Sequence, residues 1–166
     1  QLFESIQPWD SSLLINQDGE YFTRAIVNSS GILFEPTSKV YYRSELPNSV
    51  SKFNTEKAPS LYQAAESYEQ ATLSLGDDAT LKMLISKQYQ KFICQVYPSL
   101  PEMRKSAAAK VKTYGNVNTL PLVAESQVAK LICTLFGWKF LILLRILSRY
   151  SVTVISQISS RFWPVH

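Results

Sequence analysis

Asp18 and Glu20 stand two residues apart, with Gln17 before them and Arg24 four residues after Glu20. Carboxylates in the first turn of a helix lie near the positive end of its peptide dipoles, which favours the ionised form and holds it in place. A fixed carboxylate can take the proton of an attacking hydroxyl. The same residues also fit a plainer role, since acidic side chains in a first turn commonly cap the helix or complement its dipole. Arg24 can pair with Glu20 at i, i+4, a surface contact of small energy. Other chemistries have little to work with. The one histidine is His166, the last residue, so a histidine-dependent triad is excluded. No Cys/His cluster has zinc spacing. Cys94 and Cys133 lie far apart in apolar helical patterns, as two buried thiols of a reducing compartment would.

Several elements must position these groups. Pro8-Trp9-Asp10 forms a turn with an aromatic anchor, and Leu13-Leu14-Ile15 can lie against a core. A short helix is expected over residues 18–29, with Phe22, Ala25 and Ile26 on its apolar face and Gly31 as its stop. Two strand-like runs follow at 31–35 and 39–43, separated by Pro36, and residues 44–59 form a loop. Three helices are expected at 60–75, 78–97 and 101–114. The second has the best apolar face, through Leu81, Leu84, Ile85, Tyr89, Phe92, Ile93 and Val96. Asp77-Asp78 follow Gly76 and open that helix, which marks them as an N-cap rather than a metal site.

The ordered set Trp9-Asp10-Ser11-Ser12-Leu13, Asn16-Gln17-Asp18-Gly19-Glu20-Tyr21-Phe22, Arg24 and Tyr41-Tyr42-Arg43 resembles the acceptor-side motif of family 2 glycosyltransferases. The likeness covers about residues 3–51 and thins towards residue 115. It implies the acceptor-side part of an α/β domain of the GT-A type over residues 1–118, the chain itself being mostly α-helical with a small β remnant. It implies Asp18 as general base on the acceptor hydroxyl, with Glu20 as second candidate or as a neighbour that orients the acceptor. Gln17 stands where the family more often has an acidic residue, and it joins Glu20 and Arg43 as acceptor-binding candidates. Arg43 would approach a diphosphate or the acceptor, or simply close a strand edge. The family's nucleotide-binding half, with its D-x-D motif and divalent metal (Mg or Mn), has no counterpart in this sequence, which begins at Gln1. The chain is therefore expected to be a piece of a longer enzyme, with no cofactor of its own. The partners implied are a nucleotide-sugar and a glycan or lipid-linked acceptor, in glycan or polysaccharide synthesis. A non-catalytic helical interaction or membrane-surface module is the alternative.

Charge separates the two ends. The net charge is +4, but residues 1–60 hold five Lys/Arg against seven Asp/Glu, and residues 101–166 hold nine against two. The basic end, residues 119–166, is also the most apolar. From 127 to 149 an α-helix would gather Gln127, Lys130, Thr134, Arg145, Ser148 and Arg149 on one stripe, with Lys139 on the apolar side. The longest unbroken apolar run there, residues 140–144, is too short to span a bilayer, which needs about 20 residues. A helix lying in the interface of an anionic membrane fits this pattern best, and a helix packed on the domain is the other reading. Nucleic acid fits poorly, because the basic residues are embedded among aliphatic ones. The setting implied is cytoplasmic and peripheral at the inner membrane.

Overall fold

The computed structural model describes residue 4 and residues 6–41, 52–115 and 123–148. In chain order it contains α1 (Gln17–Val27), a 3-10 turn (Thr55–Lys57), α2 (Ala58–Leu73), α3 (Ala79–Val96), α4 (Pro101–Tyr114) and α5 (Gln127–Phe136). Residues 138–148 form a further helix, α6. Among the described residues there is no strand, which overturns the expectation of an α/β domain of the GT-A type with a β remnant. The run at 31–35, and residues 39–41 of the second run, are exposed and unpaired: Ile32, Leu33 and Phe34 are 76%, 94% and 83% accessible. A strand cannot satisfy its own backbone groups, so strand-forming residues without a neighbouring strand remain irregular. Pro36 interrupts the run, and Glu35 holds a turn there by accepting from the Thr37 amide at 2.9 Å.

The helices need no such neighbour. Asp78 caps α3, its carboxylate accepting from the amides of Thr80 and Leu81 at 2.7 and 3.0 Å, while Asp77 pairs with Lys82 at 3.0 Å. Ser126 caps α5 by accepting from the Ala129 amide. Pro101 occupies the first position of α4, where its missing N–H costs nothing. α3 is the central helix and packs on α2 and α4; α2 in turn carries α1. Ile85, Tyr89, Phe92, Ile93 and Val96 are buried along α3 as its periodicity requires, and Ala65, Ala107 and Val111 face them. Leu84 was expected on this face but is half-exposed.

One carboxylate is buried between these three helices. Glu69 of α2 accepts from Tyr89 of α3, from Tyr114 of α4, and from Lys110 Nζ at 2.8 and 2.9 Å. Burial pushes Glu69 up, but the bonds from Lys110, Tyr114 and Tyr89 outweigh it and hold its pKa below the ordinary 4.5. The neighbouring carboxylate raises Tyr114 from 10 to about 12. Tyr89 is raised further, first by burial and then by Glu69.

The tail departs from a continuous helix. Gly137, at φ 81°, ends α5, and its amide donates to the Cys133 carbonyl at 2.8 Å. A second cluster forms from Val123, Ala124, Ala129, Cys133 and Leu141, with Cys94 and Trp138 against it. Trp138 also meets the main core and packs edge-on to Tyr97 at 5.4 Å. Cys94 and Cys133 are free thiols, and burial raises Cys94 to about 11. The boundary expected at 118/119 falls outside the described residues.

Two consequences can be measured. A carboxylate with a lowered folded pKa stabilises above 4.5 and loses that contribution as pH falls further. Phenols with raised folded pKa values stabilise below 10 and lose that contribution as pH rises through their folded values. The urea midpoint is expected to be flat from about pH 5 to 9 and to fall on both sides. Glu69→Gln is expected to shrink both limbs. Glu69→Ala strands the buried Tyr89 hydroxyl and is expected to cost about 1–3 kcal/mol. Lys110, whose side chain is 37% exposed, is screened by water and adds little to that figure.

Candidate functional site

The N-terminal segment reaches α1 through a built turn. The Asp10 carboxylate accepts from the Ser12 amide at 2.9 Å and from Gln63 of α2 at 3.1 Å. Leu13 and Ile15 are buried, while Leu14 between them is half-exposed. The Leu14 amide donates to the buried Ser60 hydroxyl at 3.1 Å, which pins the segment to α2.

α1 begins at Asn16, whose backbone is left-handed (φ 64°, ψ 26°). Its side chain makes no cap. It turns away and donates to Tyr68 Oη of α2 at 2.7 Å. Gly19 makes room for this: a Cβ there would stand 2.5 Å from Asn16 Oδ1 and 2.6 Å from Tyr68 Oη. α1 stops at Val27, where Asn28 Nδ2 donates to the Arg24 carbonyl at 2.8 Å; Gly31 lies beyond the stop.

Glu20 is buried at 5% accessibility. Arg24 Nε and Nη2 donate to it at 2.6 and 3.0 Å, and Ser67 Oγ of α2 donates to it at 2.6 Å. The same guanidinium donates to the Gln7 and Pro8 carbonyls at 2.5 and 3.1 Å. Burial pushes the Glu20 pKa up, but the bonds from Arg24 and Ser67 and the Arg24 charge bring it below the ordinary 4.5. The pair expected as a weak surface contact is thus an enclosed clamp joining α1, α2 and the N-terminal segment. The inner face of α1 carries Glu20 and Ala25, whereas Phe22 and Ile26 are half-exposed.

A pocket of about 240 Å³ opens beside this clamp. Ile15, Leu61, Ala65 and Phe92 give it apolar walls. Its polar groups are Asn16, Asp18 and Tyr68 on one side and Gln88, Lys91 and Gln95 of α3 on the other. The Asp18 carboxylate is exposed and accepts from the Gly19 amide at 2.8 Å. Burial raises the Tyr68 pKa, so the phenol stays neutral, and with Asn16 donating to its oxygen its own proton is available to a ligand.

Asp18 is therefore the one sequence-predicted site residue that lines this pocket. Gln17 lies outside it, its side chain donating to the Leu13 carbonyl, and Glu20 is enclosed by the clamp. Arg43 lies outside the described residues. Sequence reasoning missed Tyr68, Gln88, Lys91 and Gln95. Their helical spacing, with Gln88, Lys91 and Gln95 at i, i+3, i+7 beside Phe92, was the available signal. Among the described residues no cluster of three His, Cys, Asp or Glu is arranged to hold a metal ion. With one carboxylate, the pocket supports hydroxyl recognition and proton transfer. Neither a scan of protein-family models nor searches of curated proteins and of solved structures gave a match for this chain.

The geometry separates two substitutions. Glu20→Gln removes the charge that the Arg24 clamp closes on and is expected to lower the melting temperature. Asp18→Asn, on an exposed side chain, is expected to change stability by no more than about 0.5 kcal/mol. Gly19→Ala breaks the Asn16–Tyr68 bond, a loss of about 0.5–1.5 kcal/mol, and regains about 0.5–1 kcal/mol of helix preference. Its thermal unfolding is expected to stay near the parent's while the NMR signals of the Tyr68 ring shift.

Proposed function

We propose that this chain supplies the acceptor side of a glycosyl-transfer reaction, with Asp18 as the base. The observation that carries the reading is the placing of Asp18 at a pocket with apolar walls and a rim of amides and a phenol. Sugars offer that kind of surface: hydroxyls for amides and a carboxylate, and C–H faces for aliphatic and aromatic walls. The motif around Asp18 supports the same reading through its residues, independently of any sheet.

In this mechanism the acceptor hydroxyl donates to Asp18, while Tyr68, Gln88 and Gln95 orient its neighbours. As the hydroxyl oxygen bonds to the anomeric carbon of the donor, its proton passes to Asp18 and a nucleoside diphosphate leaves. Glu20 does not compete for that proton. It is buried, ionised and held by Arg24 and Ser67, so it acts by positioning the first turn of α1. Lys91 gives the pocket a cation for an acidic substituent on the acceptor. The donor, a nucleotide-sugar with a divalent metal, needs groups that this sequence does not carry, since no D-x-D occurs in it.

Two measurements test the reading. In an NMR titration, glycan oligosaccharides are expected to shift the signals of Asp18, Tyr68 and Lys91, whereas nucleotide-sugars with manganese or magnesium leave them unmoved. The chain alone is expected to release no nucleoside diphosphate, because a base acts only when the anomeric carbon is held within reach. In a protein joining this segment to a donor-binding half, Asp18→Asn is expected to cut turnover by about 10²–10⁴-fold, and Glu20→Gln by less. Nucleotide binding in this pocket, or a larger loss from Glu20→Gln, would sink the assignment.

A further inference from the structure

The two C-terminal helices bury one side each and leave an apolar side uncovered. On α5, Ala129 and Cys133 are buried, while Val128, Leu131 and Leu135 are 67%, 59% and 65% exposed. At 100° per residue these three lie within about 60° of one another, across the helix from the buried pair. On α6, Leu141 is buried, and Phe140, Leu143, Leu144 and Leu147 are all more than a third exposed. Those four lie within a stripe about 100° wide. Phe136 and Phe140, both exposed, meet with ring centroids 5.0 Å apart across the break at Gly137. Eight exposed large apolar side chains on two successive helices are more than the scattered exposed leucines of an ordinary surface.

The charges beside it say what covers it. Lys139 lies about 40° outside the α6 stripe, Lys130 lies on the polar side of α5 about 100° from Leu131, and residues 127–149 contain no Asp or Glu. A second copy of the same face would bring these cations against their own kind. An anionic bilayer offers acyl chains to the leucines and negative headgroups to the lysines, whose alkyl stems can lie along the apolar surface. No helix among the described residues is long and apolar enough to cross a membrane.

We propose that α5 and α6 dock this chain onto the surface of an anionic lipid bilayer, as a two-helix wedge bent at Gly137. The helices lie in the interface with their leucines among the outer acyl carbons. Trp138, packed on Tyr97 and on both core clusters, holds the wedge against the helical body. The pocket of Asp18 is formed by other elements, so docking and sugar recognition fail or succeed separately.

The test is sedimentation of the full chain with phosphatidylcholine vesicles, with and without phosphatidylglycerol, at low and high salt. Binding is expected only with the anionic lipid, and it is expected to weaken as salt screens the lysines. Lys130→Glu and Lys139→Glu are each expected to weaken partitioning by about fivefold or more, given the worth of one cation near such a surface. Leu135→Ser and Leu147→Ser, both at exposed positions, are expected to weaken it by roughly tenfold each. Lys112→Glu, an equal change of charge on α4, is the control and is expected to retain most of the binding. No binding, equal binding to neutral vesicles, or full binding by the lysine and leucine variants overturns the proposal. So does an oligomer that the leucine variants convert to monomer without any vesicle binding.

Discussion

A carboxylate can be buried only if its charge is met, and at Glu20 the N-terminal segment, α1 and α2 converge to meet it. Arg24 supplies the countercharge from the next turn of α1, and Ser67 supplies a hydroxyl from α2. The rest of the guanidinium is spent on two backbone carbonyls, of Gln7 and Pro8, so the N-terminal segment is drawn onto the same point. One arginine thus fixes three pieces of chain. Removing either charge leaves the other enclosed without a partner, which is why such pairs hold geometry more surely than they add stability. The position of Asp18, one turn from this clamp, is a consequence of it.

Glu69 applies the same rule inside the helical body. It draws one hydroxyl from α3, and one hydroxyl and one ammonium from α4. Apolar packing alone would let α2, α3 and α4 slide by a turn at modest cost, since alanine and leucine surfaces are forgiving. A buried carboxylate with three donors is satisfied in one register.

The helical body was legible in the sequence because a helix answers its own backbone. The period of Ile85, Tyr89, Phe92, Ile93 and Val96, the cap at Asp78 and the proline at 101 are local signals, and each acts locally in the structure. The strand-like runs at 31–35 and 39–41 are not strands, for the complementary reason. Their side chains favour extended backbone, but extended backbone becomes a strand only beside another one. The face of α1 is not legible locally because Phe22 and Ile26 outrank Glu20 on any hydrophobic scale, and the i, i+4 spacing that offers Arg24 does not reveal that Ser67 of α2 will enclose the pair. Asp18 stands in a motif that a sequence displays directly. Tyr68 and the α3 residues opposite it belong to helices 40 and more positions further on, and only folding brings them to Asp18.

The spacing of Asp18 and Glu20 carries a last constraint. On a strand, residues i and i+2 share a face, and two carboxylates so placed could share a proton or a cation. On a helix they stand about 200° apart, so the inward turn of one sends the other outward. Because residues 17–27 are helical, the pair divides by necessity into a buried member and an exposed one. Arg24, four residues after Glu20 and six after Asp18, lies over Glu20 and decides which is which. The enclosed carboxylate is held ionised by an arginine, accepts three hydrogen bonds and is shut off from a substrate by its burial. The outward one is exposed, lines the pocket and accepts from the Gly19 amide. A single choice of helix over strand therefore turns an acidic pair into one enclosed structural ion and one exposed carboxylate at the pocket.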